Sequence, residues 1–297
     1  MDPLACNYDS DAKKDDGSCQ GKSIWYADVD GDGLGNLSDT TSSCTQPAGY
    51  VDNSDDQMDA VVEKKSMALV TKMTGTNCGP CGSWGWVLFN DIITELEGEA
   101  LIMSVYSYSG TQMSTPTGDD WSPDFGMQGA PSFCVNGKNR TEYATGGGIY
   151  TGQTQTNVIN TSDSTAAVNP LAAMACQKNI EGTTLTVNTA TKFYAGLSGD
   201  YYLGAYVIED GVIADQSGDA GAGASHHYVL RGSVDGNPYG SLLNSGPVEA
   251  NETIEKTYTM ELDASWVADN ITIGLVLWNN INGEYLYMNA YTGESSH

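Results

Sequence analysis

The sequence predicts a multidomain chain: an irregular N-terminal segment, then an α/β domain, then an all-β sandwich. Three observations carry this prediction. Residues 1–60 hold 13 Asp, no Glu and few apolar residues. Residues 61–182 alternate strand and helix signals. From 183 to 297 strand signals recur without an intervening helix, separated by Gly, Asn and Asp turns. The 297 residues are enough for several hydrophobic cores.

Charge narrows the partners. With 38 acidic against 12 basic residues the formal net charge is −26, which argues against nucleic acid and anionic membrane surfaces. So many uncompensated carboxylates favour bound cations. No apolar run reaches membrane-spanning length, and the N-terminus has no apolar signal stretch. The chain opens inside what reads as a patterned segment, as a fragment would whose export signal has been removed. Seven cysteines in a Lys-poor, Gly-rich chain point to an oxidising, extracytoplasmic compartment. Their odd number leaves at least one thiol without an intrachain partner.

In the first segment, regular Asp and Gly spacing favours metal-ordered loops over disorder. The stretch DVDGDGLGNLSD, residues 28–39, places Asp28, Asp30 and Asp32 at positions 1, 3 and 5 of a twelve-residue calcium loop. Gly33 permits the turn, Leu34 offers a backbone carbonyl, and Asn36 and Asp39 fall at positions 9 and 12. Hard oxygen donors at this spacing let one short loop wrap a hard cation. An EF-hand would carry Glu at position 39, and the flanks are too short and polar for a helix–loop–helix hand. Asp52, Asp55, Asp56 and Asp59 form a second acidic cluster, available to the same ion or to another. The loop from Cys6 to Cys19 is predicted to close by a disulfide, either as a plain acidic loop or with a cation on Asp9, Asp11, Asp15 and Asp16.

In the α/β segment, Ala68–Met73 and Leu101–Tyr108 read as strands and Trp84–Leu96 as a helix. Pro131–Val135 begins a further strand, followed by the hairpin signal Asn136-Gly137. A weaker helix is predicted over 165–178. Between the first strand and the helix lies Cys78-Gly79-Pro80-Cys81. A thiol there meets unpaired helix-terminal N–H groups, which favour the thiolate, and a second thiol one turn on can resolve a mixed disulfide. Cys78 is the predicted attacking thiol and Cys81 the resolving one. Zinc fits poorly, since the chain has no second C-x-x-C and its three His residues lie far off. A purely structural disulfide stays open.

In the last segment the predicted strands are 184–189, 201–209, 227–232, 255–261, 271–278 and 285–290. His226 and His227, adjacent on a strand, would point to opposite faces and suit no shared ion. Arg231 is predicted to pair with a buried carboxylate. The chain contains no G-x-S-x-G, P-loop or dinucleotide motif, and no defensible glycosidase pair.

Several stretches resemble known families. Ala5 to Cys19 resembles a small acidic repeat of exported Bacteroidetes-type proteins, and Trp25 to Gly35 resembles thrombospondin type 3 repeats. Gln57 stands where the second pattern would place a cysteine. Such modules imply a calcium-binding stalk or spacer. Cys78-Gly79-Pro80-Cys81 matches the thioredoxin active-site tetrapeptide, and Gly129-Ala130-Pro131-Ser132-Phe133 resembles the loop that faces it. The resemblance implies a cis Pro131 and a substrate-binding main chain at Ala130. Asn77 departs from the usual Trp, and no counterpart of the family's buried acid is evident. Over 66–292, TGTNCGPC at 74–81 and HHYVLRG at 226–232 resemble the Omp28-related family, which joins a thioredoxin-like domain to a β-sandwich. Placing Cys176 in the last helix suggests a Cys134–Cys176 bridge, with Cys44 left unpaired.

The combined reading is a secreted, periplasmic or outer-membrane-associated calcium-binding protein acting by thiol–disulfide exchange on extracytoplasmic or cell-surface proteins. The alternative is a non-enzymatic adhesion or interaction module whose C-x-x-C disulfide is structural.

Overall fold

The computed structural model describes residues 2–14, 17–29, 31, 33–56, 58, 60–107, 111–145 and 148–293. Two compact units emerge, Met1–Val61 and Val62–His297.

The first unit is more regular than its composition suggests. Strands β1 (Ser23–Ala27), β2 (Asn36–Ser43) and β3 (Tyr50–Val51) form an antiparallel sheet in the order β2-β1-β3. The irregular segment expected there is thus corrected. The acidic loop is the connection of the β1–β2 hairpin, and strand pairing supplies the backbone partners that few apolar residues could not enforce.

The second unit starts with β4 (Ala68–Thr74), the one-turn helix α1 (Gly79–Gly82), α2 (Trp84–Leu96) and β5 (Ala100–Tyr106). Next come α3 (Pro116–Asp124), β6 (Ser132–Val135), β7 (Lys138–Asn139) and α4 (Thr151–Ala166). β4 and β5 are parallel, with α1 and α2 forming the crossover between them, while β6 runs antiparallel to β4 and turns into β7. The turn residues Asn136 (φ 53°) and Gly137 (φ 74°) adopt the left-handed conformation that such a tight hairpin requires. Helix α2 buries Gly85, Leu88, Phe89, Ile92 and Leu96, a 3.6-residue stripe that packs on Ala68 and Val70 of β4 and Ile102 of β5. The opposite face of β4, through Leu69 and Met73, joins Trp121 and Phe125 from α3 and its end.

The helix expected over 165–178 is not formed. Helix α4 ends at Ala166, and after Pro170 the chain becomes β8 (Ala172–Glu181), which pairs along its whole length with β9 (Thr184–Phe193). The Ala-rich stretch favours helix locally, and pairing with β9 along its whole length overrides that preference. The strand-only part accordingly begins at Ala172, and position 182/183 lies in the β8–β9 turn.

The remaining strands are β10 (Leu197–Glu209), β11 (Val212–Gln216), β12 (Gly221–His226), β13 (Val229–Ser233), β14 (Ser241–Val248), β15 (Thr253–Glu261), β16 (Ile271–Ile281) and β17 (Glu284–Thr292). Sheet β15-β9-β8 faces β10, β14 and β16 across a core that includes Leu185, Val187, Phe193, Leu203, Leu275 and Leu277. The sandwich does not stand apart from the α/β segment. β13 pairs with β10 on one side and meets β5 in parallel at Val229 and Ser104 on the other, where Ser104 N–H donates to Tyr228 C=O at 2.7 Å. One nine-stranded sheet, β17-β16-β10-β13-β5-β4-β6-β7 with β14 beside β10, runs through both.

Candidate functional site

Strand β4 leads through residues 75–77 into Cys78, which caps α1 in an extended conformation. Its Sγ accepts from Cys81 N–H at 3.2 Å, and Cys78 and Cys81 are joined as a disulfide. Pro80 sits in the first helical turn, where its missing N–H is not needed. Cys81 is fully buried and Cys78 is 6% exposed. The Ala130–Pro131 peptide bond is cis, and the Ala130 carbonyl oxygen lies 3.4 Å from Cys78 Sγ. A Cβ at Gly85 would lie 2.5 Å from Pro131 Cγ, so α2 approaches this loop because residue 85 has no side chain. The structure therefore brings Cys78, Cys81, Ala130 and Pro131 together.

Two groups of residues missed by sequence reasoning complete the site. One comes from the β11–β12 hairpin, in the strand-only part. Gln216 Nε2 donates to the carbonyls of Gly75 and Cys78, both at 3.1 Å, and Ser217 N–H donates to Thr76 C=O at 2.7 Å. Ala220 N–H donates to Gly82 C=O at 3.0 Å. More than a hundred residues separate the partners, and no local pattern announces the contact.

The other group is a buried polar box behind the loop. Lys72, on the face of β4 that meets α2, places its Nζ 5.2 Å from the Trp86 ring centroid and 4.9 Å from that of Phe89. It is 2% exposed, and burial pushes its pKa down to about 7. His226 of β12 packs edge-on against Trp86 and hydrogen-bonds Tyr106 through Nδ1 at 2.5 Å. Its Nε2 lies 3.3 Å from Ala214 C=O. A carbonyl can only accept, so Nε2 carries the proton and Nδ1 accepts from the Tyr106 hydroxyl. Burial drives His226 down to about 4 and Tyr106 up. A lysine inside the apolar run ALVTKMT was the one sequence signal for this box.

The two histidines part, though not as neighbours on one strand: β12 ends at His226 and His227 lies in the link to β13. His227 is half-exposed and faces Asp210 at 3.0 Å, beside a cavity of about 430 Å³ that Glu97, Tyr228, Asp269 and Asn270 also line. Arg231 pairs with the buried Glu209 at 2.7 Å.

In the first unit, Asp28 accepts from Gly31 N–H at 2.8 Å and Gly33 N–H at 3.3 Å. Asn36 opens β2 and Asp39 lies within it. The second acidic cluster folds back onto the loop: Asp56 bridges Asn36, Asp56 N–H donates to Gly35 C=O at 3.2 Å, and Asn53 bonds Gly33 C=O and Gly35 N–H. Asp30, Asp32 and Asp59 lie outside the described residues, as do Asp15 and Asp16. Among the described residues no three His, Cys, Asp or Glu side chains are grouped to hold a metal.

The cysteine pairing expected elsewhere is corrected. Cys6 bonds Cys44, not Cys19, and Cys19, Cys134 and Cys176 are free. Hydrogen bonds close the first loop instead, with Cys6 N–H donating to Gln20 C=O and Gln20 N–H to Asn7 Oδ1. Cys134 on β6 and Cys176 on β8 belong to different cores. Burial pushes both thiols up to about 12.

Comparison with solved structures places this architecture. The fold is shared with HBP35 of Porphyromonas gingivalis. That structure superimposes with a TM-score of 0.62 at 15% identity, over 79% of this chain and 76% of the other. At that identity the likeness is one of fold. A domain of the outer membrane lipoprotein Omp28 from the same organism matches at TM-score 0.29 and 16% identity, over 42% of this chain and 88% of that domain. No family model and no curated protein matches the sequence. Among the described residues no helix is long and apolar enough to cross a membrane.

Proposed function

We propose that the chain is an extracytoplasmic or surface-associated thiol–disulfide oxidoreductase. The observation that carries this reading is the contact of Cys78 Sγ with both the Cys81 N–H and the carbonyl that precedes cis Pro131. The Cys81 N–H that bonds Cys78 Sγ stabilises charge there, as a thiolate needs. In the reducing direction the Cys78 thiolate attacks a substrate disulfide, forming a mixed disulfide and expelling one substrate thiolate. The Cys81 thiolate then attacks Cys78 Sγ, expels the second substrate thiolate and closes the Cys78–Cys81 bond. Two electrons pass from the pair to the substrate. Ala130, beside the sulfur, offers main-chain groups to an extended peptide. The test is insulin-disulfide reduction: the wild-type protein turns over and Cys78→Ser loses at least a hundredfold. Absence of wild-type turnover, with a strongly reducing potential for the pair, would instead favour a structural disulfide in an interaction module.

The first unit is proposed to bind calcium through Asp28, Asp30, Asp32, the Leu34 carbonyl, Asn36 and Asp39. Asp52, Asp55, Asp56 and Asp59 would serve the same centre. Two observations support a hard cation: Asp28 is turned into its own loop by two N–H groups, and Asp56 is buried beside Asn36. Calcium would supply the charge compensation that this acidic unit lacks. Calorimetric heat on calcium addition and protection of residues 1–61 from protease are the expected results. Identical digestion in calcium and in chelator would overturn the assignment.

A further inference from the structure

Among the described residues the hairpin β11–β12 pairs only with itself as a sheet, its strands joined from Val212↔His226 to Gln216↔Gly221. A two-stranded ribbon is marginal alone, so its position depends on what it touches. It touches the disulfide loop. At its base, His226 is buried against Trp86 and Tyr106. At its tip, Gln216 is 4% exposed and bonds the Gly75 and Cys78 carbonyls, while Ser217 and Ala220 donate to Thr76 and Gly82. Asp219 N–H meets Ser83 Oγ at 3.3 Å. The fit leaves no slack. Gly218 has φ +99°, and a Cβ there would lie 2.4 Å from Gly79 C=O; a Cβ on Gly82 would lie 2.0 Å from Ser217 C=O. Gly75, Thr76, Cys78, Gly79, Gly82 and Ser83 thus all meet the tip.

We propose that this hairpin is the access and positioning element of the Cys78–Cys81 site, with Gln216 as its positioning residue. The proposal rests on the exchange reading for its purpose, and on the contacts alone for its geometry. A planar amide donating to Cys78 C=O fixes the peptide on which the attacking sulfur is carried. The tip covers the carbonyl side of the loop and leaves the sulfur to be approached past Ala130. Small thiols and narrow extended peptides therefore reach Cys78, whereas bulky folded surfaces must first lift the hairpin.

The test uses the full chain, reduced and freed of reductant, with alkylation rates read at each cysteine by mass spectrometry. Iodoacetamide and a polymer-linked maleimide serve as small and bulky probes, and the exposed Cys19 is the internal reference. In wild type the bulky-to-small rate ratio at Cys78 is expected to be at least tenfold lower than at Cys19. Gly218→Ala should raise that ratio at least fivefold by prying the tip from Gly79. Gln216→Glu, which turns a donor into an acceptor against two carbonyls, should move the pH midpoint of Cys78 alkylation upward, and Gln216→Asn should restore part of it. Equal ratios at Cys78 and Cys19 in wild type would overturn the proposal, even where a variant fails to fold. So would folded variants with wild-type rates and midpoint. Because alkylation needs no turnover, these outcomes are independent of insulin reduction: loss of the exchange reading leaves them standing, and turnover with an indifferent hairpin removes only this inference.

Discussion

The two disulfides have equal Cα–Cα separations of 5.2 Å and unlike surroundings. Cys6–Cys44 joins residues 38 positions apart in a unit whose described core is small, with Ala27 and Met58 among its few buried apolar side chains. Cys78–Cys81 spans 3 positions and sits in a unit already held by the β4–β5–β6 pairing and the α2 core. Loop-closure entropy grows with the length enclosed, so the first bond is worth roughly twice the second to folding, about 4 against about 2 kcal/mol. The bond that contributes less to folding is the one proposed to open and close. On the proposed function, the contrast separates a staple from an exchanging pair.

The largest expected effect sets the two against each other in one assay. Cys78→Ser should remove insulin-disulfide reduction, whereas the double change Cys6→Ser with Cys44→Ser should leave the rate within twofold. Loss of activity in the double variant would break the comparison. The same double variant should destabilise the first unit by about 4 kcal/mol, the chain-entropy value for a loop of this length. Amide exchange over β1 and β2 reads this directly, and the melting of residues 62–297 should not move.

A smaller effect concerns Lys72, behind the Cys78–Cys81 loop. Its folded pKa lies near 7 and its ordinary value at 10.5. Between these limits the unfolded chain binds one proton more than the folded one, so stability rises as pH rises from about 7 to 10.5, and the full penalty is present below 7. Lys72→Met should remove most of that slope, leaving the smaller part that the partly buried Lys178 and Lys256 contribute. It should also stabilise the protein at pH 7 by about 3 kcal/mol, the burial penalty less the two lost ring contacts. A slope unchanged in Lys72→Met would place the titration elsewhere.

Legibility followed the range of the interactions. Helix α2 was readable to its ends because its apolar stripe and the preceding cysteine loop are local. The Asn136-Gly137 turn was readable for the same reason. Helix α4 was not: TGQTQTNVINTSDSTA carries few apolar residues, and only Thr154, Val158 and Ser162 of its length are buried. β8 was mistaken for helix because its state depends on β9. Cys44 was taken as unpaired because spacing cannot foresee that Cys6 would be folded onto the end of β2.

By itself the sequence determined the order of the three segments and the strand–cysteine–helix unit. Each is written in residues a few positions apart, where turn chemistry, capping and periodicity act. Only the tertiary structure decided that β13 would join the α/β sheet to the sandwich and that Gln216 and His226 would reach the cysteine loop. It alone chose which cysteines meet. Those outcomes depend on which distant surfaces bury one another, and a contact between residues 78 and 216 leaves no periodic mark on the chain that makes it.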